Sequence, residues 1–127
     1  MYGILADTDL SFLRDKTLIQ VCFGLYDLQL HFAEEETSIS ISSSVGYGVP
    51  NGEYEKRTVG EEPGFVDILT DPRFLLRLLM KKIEAVNWTP EGTTTVTFEG
   101  GYRLQIYDDS PKFESYTLWN GGHLIVV

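Results

Sequence analysis

Reactive side chains are scarce in this chain of 127 residues, which has one cysteine, Cys22, and two histidines. A single cysteine cannot form an internal disulfide and fits a reducing compartment. Cysteine and histidine do not occur at metal-ligand spacings, and no glycine-rich phosphate loop or nucleophile-elbow motif is present. We therefore expect no metal, no cofactor and no enzymatic activity.

Positive charge is also in short supply. Ten lysines and arginines face nineteen aspartates and glutamates, which gives a net charge of −9. Binding to nucleic acid or to an anionic membrane needs Lys and Arg, so neither is an expected partner. The charge permits a basic protein partner, although solubility alone also accounts for it. The first residues, Met1–Asp7, lack a basic region and a long apolar run, so we expect no signal peptide and a cytoplasmic protein.

One segment, residues 71–85, has the pattern of a long helix. Asp71 suits the N-cap and Pro72 the first helical position. Apolar residues cover most of the circumference that follows, and Arg73, Arg77 and Lys81 form a basic stripe. A helix this apolar has to be covered widely, and it is too short and too charged to span a membrane. The sequence therefore predicts an α+β domain, residues 1–127, with this helix at its centre.

Alternating apolar residues predict β-hairpins on both sides of that helix. In the first hairpin, Gly24-Leu25 has the composition of a type II′ turn, which pairs Phe23 with Tyr26. In the second, residues 99–101 form a three-residue loop. Residues 38–41 suggest a further strand, whereas for residues 42–64 a strand and a loop both remain open.

The two hairpins resemble each other. Residues 24–30, Gly-Leu-Tyr-Asp-Leu-Gln-Leu, match residues 100–106, Gly-Gly-Tyr-Arg-Leu-Gln-Ile, and each run follows Val-x-Phe. Residues 38–41 match 115–118 in pattern. We interpret this as a degenerate repeat of a β-meander with the helix between the copies. The alternative is that strand alternation alone produces such matches.

The chain ends in a third hairpin. Pairing Tyr116 with Val127 and Leu118 with Ile125 places Gly121-Gly122 in the turn, whereas Asn120-Gly121 is the stronger type I′ signal. The last five residues, 123–127, carry no Asp, Glu, Lys or Arg and are largely apolar. Such a strand is expected in the interior or at an interface rather than at a free edge.

Two patterns support a resemblance to known proteins. The first is Leu13-x-x-Lys16-x-Leu18-x-x-Val21, followed by Tyr26-x-Leu28-x-Leu30-x-Phe32. The second is Asp109-Ser110-Pro111-Lys112-Phe113-Glu114-Ser115-Tyr116-x-Leu118, followed by Gly121-Gly122-x-Leu124-Ile125-Val126. Together they resemble small uncharacterised bacterial β-rich domains, with no established activity to carry over. Some small acidic proteins of this general kind act as immunity partners of toxins, which the resemblance makes an expectation here.

Three clusters have a chemical and a structural interpretation. Cys22 and His31 form the best dyad candidate, but the predicted register separates them by roughly 13 Å, beyond hydrogen-bond reach. Asp108, Asp109 and Glu114 could hold a hard cation, although Asp108 and Asp109 also suit a plain turn before Pro111. Glu114 is either a solvent-facing residue, a partner for Arg103, or a polar anchor in a binding cleft.

We therefore predict a non-enzymatic protein-binding module of the immunity or inhibitor kind, with a basic protein as partner. Its candidate binding residues combine acidic connections with exposed aromatics: Glu34, Glu35, Glu36, Tyr47, Tyr54, Tyr107 and Glu114. One alternative is a small-molecule binder or enzyme with a cleft near the basic stripe. Another is a homodimer in which the helix or the last strand is buried between subunits.

Overall fold

Strands are the main regular structure in the part of the chain that the computed structural model describes, residues 3–33, 36–50, 52, 54–57, 72–110 and 114–127. For Tyr54 and Arg57 it describes the backbone alone. The strands are β1 (Leu18–Phe23), β2 (Leu28–Phe32), β3 (Ser38–Ile41), β4 (Val45–Gly48), β5 (Tyr54–Arg57), β6 (Ile83–Trp88), β7 (Thr94–Phe98), β8 (Arg103–Ile106), β9 (Tyr116–Asn120) and β10 (His123–Val126). The helical elements are α1 (Arg73–Leu76) and two 3-10 turns, Ser11–Leu13 and Glu99–Gly101.

These strands form two antiparallel sheets of five. Sheet A has the order β1-β2-β3-β9-β10, and sheet B has the order β5-β4-β8-β7-β6. One hydrophobic cluster contains the inward side chains of both sheets, for example Leu30 and Leu118 from sheet A and Val96 and Leu104 from sheet B. The α+β prediction is therefore wrong. The described chain is mostly β, and its α-helix has four residues.

The predicted helix over residues 71–85 is wrong: α1 ends at Leu76, and turns lead from there to Met80. There φ is +71°, which a right-handed helix does not allow, and the Met80 N–H bonds the carbonyl of Leu18. Residues 81–83 then run antiparallel to residues 16–18, with Leu18 N–H bonded to Lys81 and Ile83 N–H bonded to Lys16. The apolar run that suggested one helix thus belongs to a short helical turn followed by a strand. Asp71, its predicted N-cap, lies outside the described residues.

The topology itself is duplicated. The first five strands, β1–β5, are equivalent in order to the last five, β6–β10. When each strand of sheet A is replaced by its equivalent, the order becomes β6-β7-β8-β4-β5, which is sheet B read from its other edge. The hydrogen bonds follow the same exchange: Met80 N–H bonds Leu18 just as Asp15 N–H bonds Ile83, and both donors have positive φ. β1 and β6 each carry a register shift after the first residue. The sequence comparison matched β2 with β8, whereas the topology matches β3 with β8, so the predicted alignment is wrong by one strand.

The first hairpin also departs from its predicted register. Phe23 pairs with Leu28, so a four-residue connection, residues 24–27, replaces the predicted two-residue turn. The Gly24 N–H bonds the carbonyl of Asp27, which closes this connection. Tyr26, predicted to pair with Phe23, is instead 72% exposed. The bulge at Ile19 then shifts the pairing by one residue, so that Leu18 pairs with Phe32 instead of the predicted His31.

Other local predictions are confirmed. Tyr116 exchanges hydrogen bonds with Val127, and Leu118 pairs with Ile125. This register selects Gly121-Gly122 as the turn, and both glycines have the positive φ that a type I′ turn requires. Residues 99–101 form the predicted loop, residues 38–41 form β3, and the open segment contains β4 and β5.

Leu78 remains a packing residue although the long helix is absent. It is fully buried, as is its equivalent in the first half, Leu13, whereas Leu76 is 54% exposed. We expect Leu78→Ala and Leu13→Ala each to lower the free energy of unfolding by roughly 2–5 kcal/mol, because each leaves a cavity. Leu76→Ala is the control and should cost less than about 1 kcal/mol. Urea titration measures all three, and equal small effects would contradict this account of the core.

Met80 gives a second prediction. Its left-handed backbone is unfavourable for a residue with a Cβ, whereas glycine adopts it freely, and its side chain is 79% exposed. We expect Met80→Gly to raise the free energy of unfolding by up to about 1 kcal/mol, after the greater chain entropy of glycine is subtracted. Asp15→Gly should gain less, because aspartate tolerates this conformation better. A loss of stability on Met80→Gly in urea titration would count against the conformation at Met80.

Candidate protein-binding surface

The outer face of sheet A is uncharged. Along each strand, side chains point alternately to the inner and the outer face of the sheet. The register between the five strands aligns ten outward side chains in two rows that run across the sheet. The rows are Gln20, His31, Ser38, Trp119, Leu124 and Cys22, Gln29, Ser40, Thr117, Val126. None of these is Asp, Glu, Lys or Arg in a protein whose net charge is −9. We call this surface the uncharged face.

Three large apolar residues lie at one side of the uncharged face. Leu124 is directly opposite Trp119, and Val126 follows Leu124 on the same side of β10. Their exposed fractions are 42% for Trp119, 49% for Leu124 and 39% for Val126. The other exposed large apolar residues lie outside regular strand pairing, in turns and lead-in segments and at the Ile19 bulge. We call Trp119, Leu124 and Val126 the apolar edge.

The outer face of sheet B is built differently. Gly46 is covered by Tyr107, since a Cβ added at Gly46 would lie 2.6 Å from the Tyr107 hydroxyl. That hydroxyl donates to Gln105 over 2.7 Å, and the Lys56 ammonium lies 4.5 Å from the ring centre. Arg103 donates to the carbonyls of Val49 and Gly52 and so fixes the β4–β5 connection. This face therefore carries cations, and Tyr107 and Arg103 both donate hydrogen bonds within the chain.

Asp108 and Asp109 form the corner between β8 and β9. Asp108 accepts hydrogen bonds from the Gly3 N–H and the Ser115 hydroxyl. Asp109 accepts from the Ser44 N–H over 3.0 Å and lies 3.1 Å from the Lys56 ammonium. These contacts favour the turn interpretation over a cation site. Within the described residues, no group of three or more His, Cys, Asp or Glu is arranged to hold a metal.

Cys22 and His31 lie closer together than the sequence predicted. In the observed register Cys22 pairs with Gln29 and Gln20 with His31, so the two are diagonal neighbours at roughly 7–8 Å. The predicted separation is wrong, because it rested on the two-residue turn. His31 Nε2 is 3.1 Å from Gln29 Oε1, and the same Gln29 donates to Asp27. The imidazole therefore belongs to a chain of polar contacts along β2.

The basic stripe is divided between different structures. Arg73 is on α1, Arg77 follows its end, and Lys81 lies in extended chain with its ammonium 5.1 Å from the Tyr102 ring centre. Beneath them Tyr47 packs on Phe74, with ring centres 4.5 Å apart. Burial raises the pKa of the Tyr47 hydroxyl, and the nearby Arg77 guanidinium opposes that rise. The stripe thus covers aromatic core residues instead of lining one helix face.

The predicted binding residues are scattered over the structure. Glu34 and Glu35 lie outside the described residues, as does the side chain of Tyr54, whose backbone pairs with Gly48. Tyr47 is buried and Tyr107 is half-buried. Glu36 and Glu114 are exposed, at the β2–β3 turn and before β9. Of these residues, Glu36 lies nearest the uncharged face in sequence, two positions before Ser38.

Sequence reasoning did not single out Trp119, Leu124 or Val126 as binding residues. Two signals were available. Alternation along residues 116–119 and 123–127 gives the faces of β9 and β10, and the lack of charge in 123–127 marks an unusual strand. The neighbours across the sheet could not be derived, because β3 and β9 are far apart in sequence.

Comparisons of the chain with protein-family models, curated proteins and solved structures found no match. In the part of the chain that the structure describes, no helix has the length and apolar character needed to cross a membrane.

The corner at Asp109 predicts a pH dependence. Partial burial would raise the pKa of this carboxyl, but hydrogen bonds from Ser44 and the charge of Lys56 outweigh it and hold the pKa below its ordinary value of 3.8. Since the folded-state pKa is depressed, the stabilisation is present above 3.8 and is lost as pH falls through the folded-state pKa. Both side chains are partly exposed, so the ion pair contributes less than about 1 kcal/mol.

We expect Asp109→Asn to be less stable than the wild type at neutral pH and to approach it at acid pH. Urea titration across this range makes the measurement. Glu91→Gln, which removes an exposed carboxylate on the β6–β7 connection, is the control. A stability deficit of Asp109→Asn that is the same at neutral and acid pH would refute a role for the ionised carboxylate.

Proposed function

We propose that this protein is a non-enzymatic protein-binding module and that it binds its partner through the uncharged face, with the apolar edge at the centre of the contact. The observation that carries the proposal is the exposure of Trp119, Leu124 and Val126 side by side on paired strands. Adjacent strands hold these side chains in fixed positions, so a partner meets a surface that is already ordered.

The chemistry of this surface is that of an interface core. Interface cores are depleted of charged residues and enriched in aromatic ones, and tryptophan is prominent among residues that dominate binding energy. The ten positions of the uncharged face hold one tryptophan and no Asp, Glu, Lys or Arg. Serine, threonine and glutamine around the apolar edge supply hydrogen-bond donors and acceptors for a partner backbone.

The acidic residues favour a basic partner. Glu36 is exposed at the β2–β3 turn, next to the start of β3 and hence to the row that contains Trp119. Glu34 and Glu35 precede it in sequence. Acidic side chains at the border of an apolar contact speed association with a positively charged protein, and salt weakens that effect. The partner we propose therefore presents an apolar patch bordered by Lys or Arg.

The test begins with a partner captured from the native host and then measures which residues the binding needs. We expect Trp119→Ala to raise Kd about tenfold or more, because it removes the largest side chain of the contact. Tyr26→Ala is the matched control: it removes a 72% exposed aromatic residue from the β1–β2 connection, outside the uncharged face. The association rate should fall as salt rises from low to physiological concentration.

Two outcomes would refute the proposal. One is a partner whose affinity is unchanged by Trp119→Ala and reduced by Tyr26→Ala. The other is a small anion that raises the melting temperature of the wild type but not of Arg77→Ala, with no protein bound. The second result would support the alternative of a small-molecule site near Tyr47 and Arg77.

A further inference from the structure

The four sheet edges of this fold are protected unequally. At the β1 edge the N–H and carbonyl of Leu18 are bonded to Lys81 and Met80, and at the β6 edge those of Ile83 are bonded to Lys16 and Asp15. Each of these strands also has a bulge after its first residue. Bulges and covering segments are devices that prevent edge-to-edge pairing. The starts of the first two edges are therefore covered by the lead-in segment of the other half, and a bulge follows in each strand.

The remaining edges, β5 and β10, are equivalent under the duplication and can be compared directly. β5 has the sequence Tyr-Glu-Lys-Arg, with Glu55 and Lys56 exposed. β10 has the sequence His-Leu-Ile-Val, with Leu124 and Val126 exposed. Charges on an edge strand prevent association, and β10 has none. The edge strand of the first half, β5, is thus protected by charge, whereas the equivalent edge strand of the second half, β10, is apolar.

The backbone of β10 also has hydrogen-bonding groups on its open side. Val127 and Tyr116 exchange both of their hydrogen bonds, which fixes the alternation of the β9–β10 ladder. His123 and Ile125 therefore bond towards β9, and the N–H and carbonyl groups of Leu124 and Val126 point away from it. Within the described chain, β9 is the only strand that pairs with β10.

We infer that β10 pairs with β10 of a second copy, antiparallel about a two-fold axis at Ile125. In this register Leu124 of each copy faces Val126 of the other as a hydrogen-bonded pair, and all four outward N–H groups are satisfied. The two Ile125 side chains meet on the inner face. On the outer face the Leu124–Val126 contacts join the two Trp119 side chains into one apolar strip. Two five-stranded sheets become one sheet of ten strands.

A second copy fits this edge better than a foreign strand for two reasons. Leu124 and Val126 lie one residue to either side of Ile125, so this part of the strand complements itself in the isologous contact that a two-fold dimer requires. The strand is also uncharged in a chain of net charge −9, and two such chains can approach closely only where their acidic residues are distant. Salt screens the repulsion between the copies, so the dimer should strengthen as salt rises.

This inference goes beyond the proposed function and can fail separately from it. The dimer depends on backbone pairing along β10 with contacts between Leu124 and Val126, whereas partner binding depends on Trp119 and the outward side chains further along the uncharged face. The salt dependences also have opposite signs: the dimer strengthens with salt, and association with a basic partner slows.

Analytical ultracentrifugation over a range of protein concentrations at low and physiological salt tests the dimer. We expect the wild type to show a monomer–dimer equilibrium that shifts to dimer with salt. Val126→Lys should be monomeric, because it places a charge at the edge as in β5. Thr117→Lys is the control. It adds the same charge to the uncharged face, but on β9, opposite Val126, and so leaves the β10 edge itself unchanged. This variant should retain the dimer and bind the partner more weakly.

Amide hydrogen exchange of the wild type gives a test that requires no variant. The Leu124 and Val126 N–H groups should exchange more slowly as protein concentration rises, whereas the Ile125 N–H, bonded within the monomer, should not respond. A wild type that stays monomeric throughout, or exchange at Leu124 and Val126 that is independent of concentration, would overturn the inference. So would a dimer that Val126→Lys leaves intact in a folded protein.

Discussion

The fold depends on the exchange of backbone hydrogen bonds between residues 15–18 and 80–83. Thr17 and Lys82 form an isolated antiparallel bridge, and Leu18 and Ile83 each donate one hydrogen bond to the opposite segment and accept one from it. These bonds satisfy backbone groups that would otherwise lie open at the edges of β1 and β6. They also connect the two turns beside them, because Ala33 N–H bonds Thr17 and Glu99 N–H bonds Lys82. One contact therefore joins the sheets and covers the start of two edges.

The sequence was informative where interactions are local. The alternation of Val96 and Phe98, and of Leu104 and Ile106, located β7 and β8. The pairing of apolar residues selected Gly121-Gly122 as the turn against the stronger Asn-Gly signal, because burial on one face constrains register more than turn preference does. The duplication was visible as a pattern, but alternation gives the same match at a shift of one strand. Hydrogen bonds between distant segments were needed to align the halves.

The central helix was mispredicted for a physical reason. Between Leu75 and Ile83 the apolar residues have helical spacing, and propensity alone continues the helix through Lys81 and Lys82. Tertiary hydrogen bonds to residues 16–18 override that propensity, and no local signal marks Met80 as left-handed. The candidate surface was missed in part for a similar reason. Trp119 and Leu124 become neighbours through the turn, but their place beside Ser38 and His31 is set by long-range strand pairing.

The duplication has a consequence for how the protein unfolds. Sheet A takes β1–β3 from the first half of the chain and β9–β10 from the second, and sheet B takes the converse set. In arrays of repeats that contact only their neighbours, one unit can lose its structure while the next keeps it. Here neither half contains a complete sheet, so the loss of either half removes strands from both layers of the core. The two halves are therefore one cooperative unit, and the repeat contributes symmetry without giving the molecule independent parts.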